Sequence, residues 1–269
     1  MSFSREDGDL LLGGLNELDV SDDVRSLLMQ DSGRINSRLF RSSLIEMGMA
    51  FDFPTTVNME LNRRCVLDCK HCYIGSTELH DHTSRGVLEQ MEINEVRKTF
   101  QDLKDLGVFM LVFTGGEPLI NTRIQELVLL AAEMDFAVEI FSNLQVIPEW
   151  LYIGSAQRLH ISRIQTSVYS SDPDIHDLIT RVPGSHGRTM RNLQILMGSG
   201  YYVEVATPLM YLNIDGWRET EKFITDLGIH HDFSWPIVNE YYESPTGKSA
   251  LNPATQQWQA FVRENPDFL

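Results

Sequence analysis

Short apolar runs and longer amphipathic stretches alternate along the chain from about residue 55. Thr55–Leu61 reads as a first strand and Val108–Phe113 as a second, buried strand. Between them, apolar residues recur at helical spacing until Gly107, where we expect the helix to end. Short apolar runs of this kind suit a parallel sheet that is covered by helices.

The same alternation continues to residue 238. We predict six strands at Thr55–Leu61, Val108–Phe113, Phe136–Phe141, Ile161–Val168, Tyr202–Thr207 and Asp232–Val238. We predict five intervening helices at Ile93–Leu106, Ile124–Met134, Pro148–Leu159, Thr189–Met197 and Trp217–Leu227. The pattern indicates an α/β fold of βαβ units with right-handed crossovers. It leaves open a doubly wound sheet or an incompletely closed barrel, although no GxGxxG motif follows the first strand.

Residues that could bind a metal or another ligand follow several of these strands. Because loops and helix N-termini converge at the carboxyl ends of parallel strands, we expect these residues to share one rim. They are Cys65, Cys69 and Cys72 after the first strand, Gly115, Gly116, Glu117 and Pro118 after the second, Asn143 after the third, Ser167 at the end of the fourth, and Arg181 in the loop that follows. In that same loop, we expect His176 and Asp177 to cap a helix or hold the loop rather than act as a base.

Composition narrows the class of protein. The chain has 269 residues, 42% of them hydrophobic, which is enough for a sizeable core. With 22 Lys and Arg against 38 Asp and Glu, the net charge of −16 disfavours binding to nucleic acid. There is no run of 18 apolar residues and no signal peptide, so we expect a cytoplasmic protein that does not span a membrane.

The three cysteines lie within eight residues, in the sequence CVLDCKHC. An odd number crowded into one loop is not a disulfide framework, so metal binding is the better interpretation. Three thiolates leave a four-coordinate centre one protein ligand short. The residues themselves leave two choices, a Cys3His zinc site and a [4Fe-4S] cluster with one iron that no cysteine binds.

Cys65-x3-Cys69-x2-Cys72 after a first strand, followed by the GGEP turn after the second, resembles the radical S-adenosylmethionine (SAM) superfamily. The resemblance covers roughly Pro54–Val238 and implies a partial (β/α)6 barrel. The stretches CKHCY, FTGGEPL and SSDPDIHDLITRVPGSHGRTMRNLQIL resemble enzymes that modify ribosomally made peptides or proteins. The activity that this implies is reductive cleavage of SAM to a 5′-deoxyadenosyl radical, which abstracts hydrogen from a peptide or protein.

The resemblance also assigns roles to residues. Cys65, Cys69 and Cys72 would bind the [4Fe-4S] cluster, and SAM would chelate the remaining iron. The other assignments concern SAM itself: Gly115, Gly116, Glu117 and Pro118 for its amino group, Ser167 for its ribose or carboxylate, Arg181 for its carboxylate, Asn143 as a further contact, and His71 near its adenine.

A local basic segment, Asn62–Tyr73, stands out in this acidic chain because it carries Arg63, Arg64 and Lys70 against Asp68 alone. It can be a solvated loop that offsets the negative charge of the cluster, and our hypothesis is that it also docks an acidic electron donor such as a flavodoxin or ferredoxin.

We divide the chain into an N-terminal helical extension (1–52), a core barrel (53–240) and a C-terminal tail (241–269). Helix-like stretches at Asp22–Met29 and Ile35–Met47 make the extension either a packing element or part of a leader-peptide recognition element. Related maturases often continue into a cysteine-rich extension, whereas no cysteine follows Cys72. We therefore expect either a single-cluster enzyme or a truncated form. A small-molecule radical SAM enzyme of cofactor or haem synthesis and a non-catalytic binding module remain alternatives.

Overall fold

The computed structural model describes residues 45–46, 48–50, 52–72, 74, 91–153, 159–234 and 251–266. Six parallel strands form one sheet in the order β1-β2-β3-β4-β5-β6. The strands are β1 (Thr56–Asn62), β2 (Met110–Gly115), β3 (Ala137–Phe141), β4 (Ile161–Ser167), β5 (Val203–Pro208) and β6 (His230–Ser234).

Helices follow the strands along the chain. They are α1 (Ile93–Asp105), α2 (Ile124–Glu133), α3 (Glu149–Ile153), α4 (Pro173–Thr180), α5 (Ser185–Gly198), α6 (Trp217–Asp226) and α7 (Thr255–Glu264). Short 3-10 turns occur at Pro118–Ile120 and Ile214–Gly216.

The strand order decides between the two architectures that the sequence left open. In a doubly wound sheet the order reverses at a switch point, whereas here each strand pairs with the next strand along the chain. Crossovers of one hand then curve the sheet in one direction. The sheet is not closed, and the prediction of a partial (β/α)6 barrel is confirmed.

The main core lies between the sheet and its helices. On α1, Val96 and Phe100 are fully buried, and the Phe100 ring packs edge-on against Phe136 at 5.7 Å between centroids. Burying one such side chain contributes about 1.5–3 kcal/mol. This packing, repeated along the sheet, fixes the strand ends that carry the site.

A buried ion triad connects three neighbouring strands. Arg163 of β4 donates to Glu139 of β3 at 2.7 Å and also to Glu204 of β5, and Tyr202 donates to the second oxygen of Glu204 at 2.7 Å. In the register, Arg163 pairs with Glu139, which places their side chains on the same face of the sheet. The charged groups therefore hold β3, β4 and β5 together from one face.

Several predicted boundaries differ from the observed ones. Pro173–Thr180 forms a helix, α4, although the sequence suggested a loop there; Asp172 caps it through the backbone N–H of Asp174 at 2.9 Å. α5 begins at Ser185, four residues earlier than predicted, and α3 is observed only as far as Ile153. The last strand begins at His230, and residues 235–238 of the predicted strand lie outside the described residues.

Parts of the predicted terminal segments can be placed. The extension over 1–52 lies largely outside the described residues, apart from helical backbone at 45–46 and 48–50 and a turn at residue 52. In the tail, α7 packs Phe261 against Trp217 and Phe233 at 5.3 Å between ring centroids. Within the described ranges, no helix combines the length and apolar character that crossing a bilayer requires.

Candidate active site

The three cysteines lie in the loop that leaves β1, and this loop packs on the C-terminal end of α4. The backbone N–H of Asp68 donates to the carbonyl of Thr180 at 3.2 Å, and that of Lys70 donates to Ile179 at 2.9 Å. Within the loop, the Cys72 N–H donates to the Cys69 carbonyl at 3.0 Å. All three thiols are half-buried and none is in a disulfide.

Burial governs the acidity of the Cys65 and Cys69 thiols. It raises the pKa of Cys65 to about 11 and the pKa of Cys69 to about 12. Thiols in such a setting ionise when a positively charged metal centre binds them, because metal binding and deprotonation are coupled. The loop therefore suits a metal centre better than a reactive free thiol.

The glycine turn after β2 contacts the start of the cysteine loop closely. The N–H groups of Gly116 and Glu117 donate to the carbonyls of Asn62 and Arg64, each at 2.7 Å. A Cβ on Gly116 would lie 2.2 Å from the Arg64 carbonyl oxygen, and one on Gly115, where φ is +127°, would lie 2.3 Å from that of Asn62. The two glycines are needed because no side chain fits between these backbones.

Glu117 is fully buried and connects the ends of β2 and β3. Its carboxylate accepts hydrogen bonds from Leu119 N–H at 2.9 Å, the Ser142 hydroxyl at 2.8 Å and Asn143 N–H at 2.8 Å. Burial raises its pKa to about 7, although these three hydrogen bonds act in the opposite direction. Pro118 is also buried and begins the 3-10 turn.

Asn143, which follows β3, contacts the cysteine loop directly. Its amide nitrogen lies 3.3 Å from Cys65 Sγ, and its amide oxygen accepts the N–H of Gln145 at 3.0 Å. The structure thus places a residue that the sequence associated with SAM beside a cysteine sulfur.

Tyr169, two residues beyond β4, completes the surroundings of the cysteines. Its hydroxyl lies 3.2 Å from His71 Nε2 and 4.0 Å from Cys69 Sγ. The rings of His71 and Tyr169 meet edge-on at 5.0 Å, and burial lowers the pKa of His71 to about 4. Sequence reasoning missed Tyr169, although an aromatic residue close behind Ser167 at a strand end was the available signal.

Asp177 caps α5, as predicted. It accepts the N–H of Gly184 at 2.5 Å and the N–H of His186 at 2.9 Å, and it also accepts the Ser185 hydroxyl at 2.8 Å. His176 is 1% exposed and accepts the Tyr169 N–H at 3.2 Å through Nδ1. Both residues therefore hold the loop, and the expectation that neither acts as a general base remains a prediction.

Arg181 lies at the outer edge of the site. It ends α4 with φ of +58°, and its exposed guanidinium pairs with Asp68 of the cysteine loop at 3.1 Å. The pair fastens the loop to α4, while the predicted contact of Arg181 with the SAM carboxylate remains a prediction.

The description of the radical SAM superfamily matches residues 59–227. These residues include the cysteine loop, the glycine turn and most of the sheet. The chain belongs to the radical SAM superfamily. The match covers more than half of the chain. The cofactors of this radical SAM chain are accordingly a [4Fe-4S] cluster, characteristic of the family, and SAM.

Two curated relatives of this radical SAM chain differ in what they act on. The AdoMet-dependent heme synthase of Nitratidesulfovibrio vulgaris (strain Hildenborough) is 28% identical over 71% of this chain and 48% of its own length. The PqqA peptide cyclase of Ruegeria pomeroyi is 24% identical over 80% of this chain and 55% of its own length. The chain thus spans about half the length of the curated relatives it matches.

A solved structure shares the fold. The crystal structure of Streptococcus suis SuiB bound to S-adenosylmethionine is 15% identical, with a TM-score of 0.63 over 97% of this chain and 57% of SuiB. At that identity the likeness concerns the fold alone.

The residues of this radical SAM chain fit the two cofactors. In the part of the chain that the structure describes, no three His, Cys, Asp or Glu side chains converge on a single metal ion. A cubane does not need such convergence, because it spreads its cysteines over different irons. His71 Nδ1 is buried and lacks a hydrogen-bond partner among the described residues, so a bound ligand could satisfy it.

A cavity of about 170 Å³ opens beside the cysteine loop. Its lining includes Leu67, Asn143, Gln165, Ser167, Tyr169 and His176. The structure thus brings together Asn143 and Ser167, whereas Arg181 lies outside this lining.

Proposed function

We propose that this protein is a radical SAM enzyme that modifies a peptide or protein. One observation carries the radical SAM chemistry of this proposal: in a chain of this superfamily, the glycine turn hydrogen-bonds to the backbone that leads into three half-buried cysteines. When bound, the cluster and SAM supply an electron and a 5′-deoxyadenosyl radical that abstracts a hydrogen atom from a C–H bond. The chain's own residues bind, orient and shield that chemistry.

The cysteines and the glycine turn provide the binding site. Cys65, Cys69 and Cys72 bind the cluster, and the backbone of the turn at Gly115–Pro118 holds the SAM amino group. The glycine turn supports this assignment because its close approach to Asn62 and Arg64 fixes it relative to the cysteines. Fixed donors that need no rearrangement are what orientation of a reacting group requires.

The walls of the cavity orient SAM and exclude water. Ser167 and Asn143 both line the cavity, which supports a contact of Ser167 with the ribose or carboxylate of SAM and a further contact of Asn143 with the same molecule. His71 lies beside the cysteines with its buried Nδ1, which supports a place near the adenine. Arg181 would reach the SAM carboxylate from the outer edge, in competition with Asp68. Enclosure by such walls matters because solvent would quench a radical.

The substrate class rests on the relatives. The PqqA peptide cyclase supports a peptide substrate for this chain. A second candidate, a small molecule of the kind used in haem synthesis, is favoured by the AdoMet-dependent heme synthase at 28% identity. A cytoplasmic location belongs to the same proposal, since thiolates stay reduced there.

An acidic electron donor is the proposed protein partner. Arg63 is exposed and Lys70 is half-buried in the cysteine loop, while the whole chain carries a net charge of −16. A basic surface at the cluster within an acidic protein would select donors of negative charge and steer them to the site.

The test is reductant-dependent formation of 5′-deoxyadenosine from SAM by anaerobically reconstituted protein, with Cys69→Ala as control. We expect the nucleoside from the wild type and none from the variant. Candidate peptides and tetrapyrroles deuterated at carbon then separate the two substrate classes, because deuterium should appear in the nucleoside only with the true class. A loaded cluster that forms no nucleoside would support the non-catalytic alternative.

A further inference from the structure

The hydrogen bonds around Asn143 fix which end of its side chain faces Cys65. Its amide oxygen accepts the backbone N–H of Gln145 at 3.0 Å, so the other end of the amide must be the nitrogen. That nitrogen, Nδ2, lies 3.3 Å from Cys65 Sγ. Asn143 therefore donates a hydrogen bond to the cysteine sulfur.

The backbone of Asn143 is held as firmly as its side chain. Its N–H donates to the buried carboxylate of Glu117 at 2.8 Å. Its carbonyl accepts the hydroxyl of Thr189, on α5, at 2.9 Å. Four hydrogen bonds thus position one amide against one sulfur, with partners in the glycine turn, α5, the following loop and the cysteine loop. The side chain has little freedom to turn elsewhere.

We propose that Asn143 is a positioning residue that acts on the [4Fe-4S] cluster through Cys65 and raises the reduction potential of the cluster. The inference rests on the proposed function, in that Cys65 binds the cluster. Reduction adds one electron, taken from the external donor, and this added negative charge spreads over the sulfurs. A hydrogen bond to a sulfur therefore stabilises the reduced cluster more than the oxidised one.

We expect a second, longer contact to raise the reduction potential of the cluster as well. The hydroxyl of Tyr169 lies 4.0 Å from Cys69 Sγ, which is the outer limit for an O–H···S hydrogen bond. When His71 Nε2–H donates to the tyrosine oxygen, which lies 3.2 Å away, the hydroxyl proton is not used in that hydrogen bond. The tyrosine proton is then available to Cys69. We expect its effect to be smaller than that of Asn143 because the contact is longer.

The test is a potentiometric titration of reconstituted proteins, followed by the EPR signal of the reduced cluster. Asn143→Leu removes the donor while filling the space, and Asn143→Ala serves if the leucine variant does not load a cluster. We expect a more negative midpoint potential. At the wild-type midpoint, the ratio of reduced to oxidised cluster should fall about two- to tenfold, the range given by one ordinary hydrogen bond. Tyr169→Phe should shift the midpoint in the same direction by less.

The matched control is Thr189→Val, which loosens the Asn143 carbonyl but leaves the amide on the sulfur. Its midpoint should shift less than that of the Asn143 variants, because the donor to the sulfur remains. An unchanged midpoint in the Asn143 variants, or an equal shift in Thr189→Val, would overturn the inference.

A measurement on the wild type needs no variant. Protein labelled with 15N-asparagine should show a 15N coupling in the pulsed EPR spectrum of the reduced cluster, and absence of the coupling would also overturn the inference. Failure of the wild type to bind a [4Fe-4S] cluster would refute the proposed function instead, so the two failures can be told apart.

Discussion

Replacing Gly116 with alanine should separate the glycine turn from the cysteine loop. The added Cβ would lie 2.2 Å from the Arg64 carbonyl oxygen, whereas ordinary contact begins at 3.4 Å. One backbone must therefore retreat by 3.4 − 2.2 = 1.2 Å. The neighbouring atoms are backbone, so no flexible side chain can absorb the movement.

This retreat breaks hydrogen bonds as well as contacts. The bonds from Gly116 N–H to Asn62 and from Glu117 N–H to Arg64 are each 2.7 Å, and both would stretch beyond hydrogen-bond range. Each broken bond costs about 1–3 kcal/mol through groups left without a partner, so the two bonds together give roughly 2–6 kcal/mol of lost stability. That is a large share of the 5–15 kcal/mol that is usual for folded proteins.

Urea unfolding measures the stability, and iron and sulfide analysis after anaerobic reconstitution measures the cluster content. We expect Gly116→Ala to lower both. The matched control is Gly187→Ala in α5, where an added Cβ meets nothing within 4 Å. Alanine is the better helix former, so this control should be as stable as the wild type or more stable by about 0.5–1 kcal/mol. Wild-type stability and cluster content in Gly116→Ala would refute the argument that the turn positions the cysteine loop.

Three further predictions concern the ion triad, the buried His176 and the basic segment of the cysteine loop. Arg163→Met should cost about 3–5 kcal/mol in urea unfolding, since it leaves two buried carboxylates without their cation; the exposed Arg97→Met should change little, and equal effects would contradict this. Burial lowers the pKa of His176 from 6.5 to about 4. The unfolded chain therefore binds the proton first, and roughly 3 kcal/mol of stability should be lost as pH falls from 6.5 to 4. His176→Phe should remove this share of the acid dependence, and an unchanged pH profile would count against it. Arg63→Glu combined with Lys70→Glu should slow flavodoxin-driven turnover in a salt-dependent way and spare dithionite-driven turnover; equal loss with both reductants would argue against docking.

Local patterns were enough to predict the sheet. Runs such as Val108–Phe113 are buried because each strand is covered by helices, and that signal lies within a few residues of sequence. The order of the strands did not follow from these patterns, because right-handed crossovers occur both in doubly wound sheets and in barrels; the sequential order is observed in the fold. The helix at Pro173–Thr180 was missed although Asp172 and Pro173 form a recognisable start.

The site was predicted as a set of residues but not as a set of contacts. The cysteines and the glycine turn were each predicted from a sequence motif, and the fold places the turn against the start of the cysteine loop. The hydrogen bond from Asn143 to Cys65 joins residues 78 positions apart, and no local pattern indicates which end of an amide faces which sulfur. For the same reason, only the fold shows that the Glu117 carboxylate accepts hydrogen bonds from Ser142 and Asn143. The pairing of Arg181 with Asp68 is likewise seen only in the fold.

The most direct measurement is the EPR spectrum of the reduced, anaerobically reconstituted protein with and without SAM. Three cysteines on four irons leave one iron to the small molecule, so we predict about four irons and four sulfides per chain and a signal that changes when SAM is added. Bound zinc in place of iron, or a cluster signal that SAM leaves unaltered, would contradict the account.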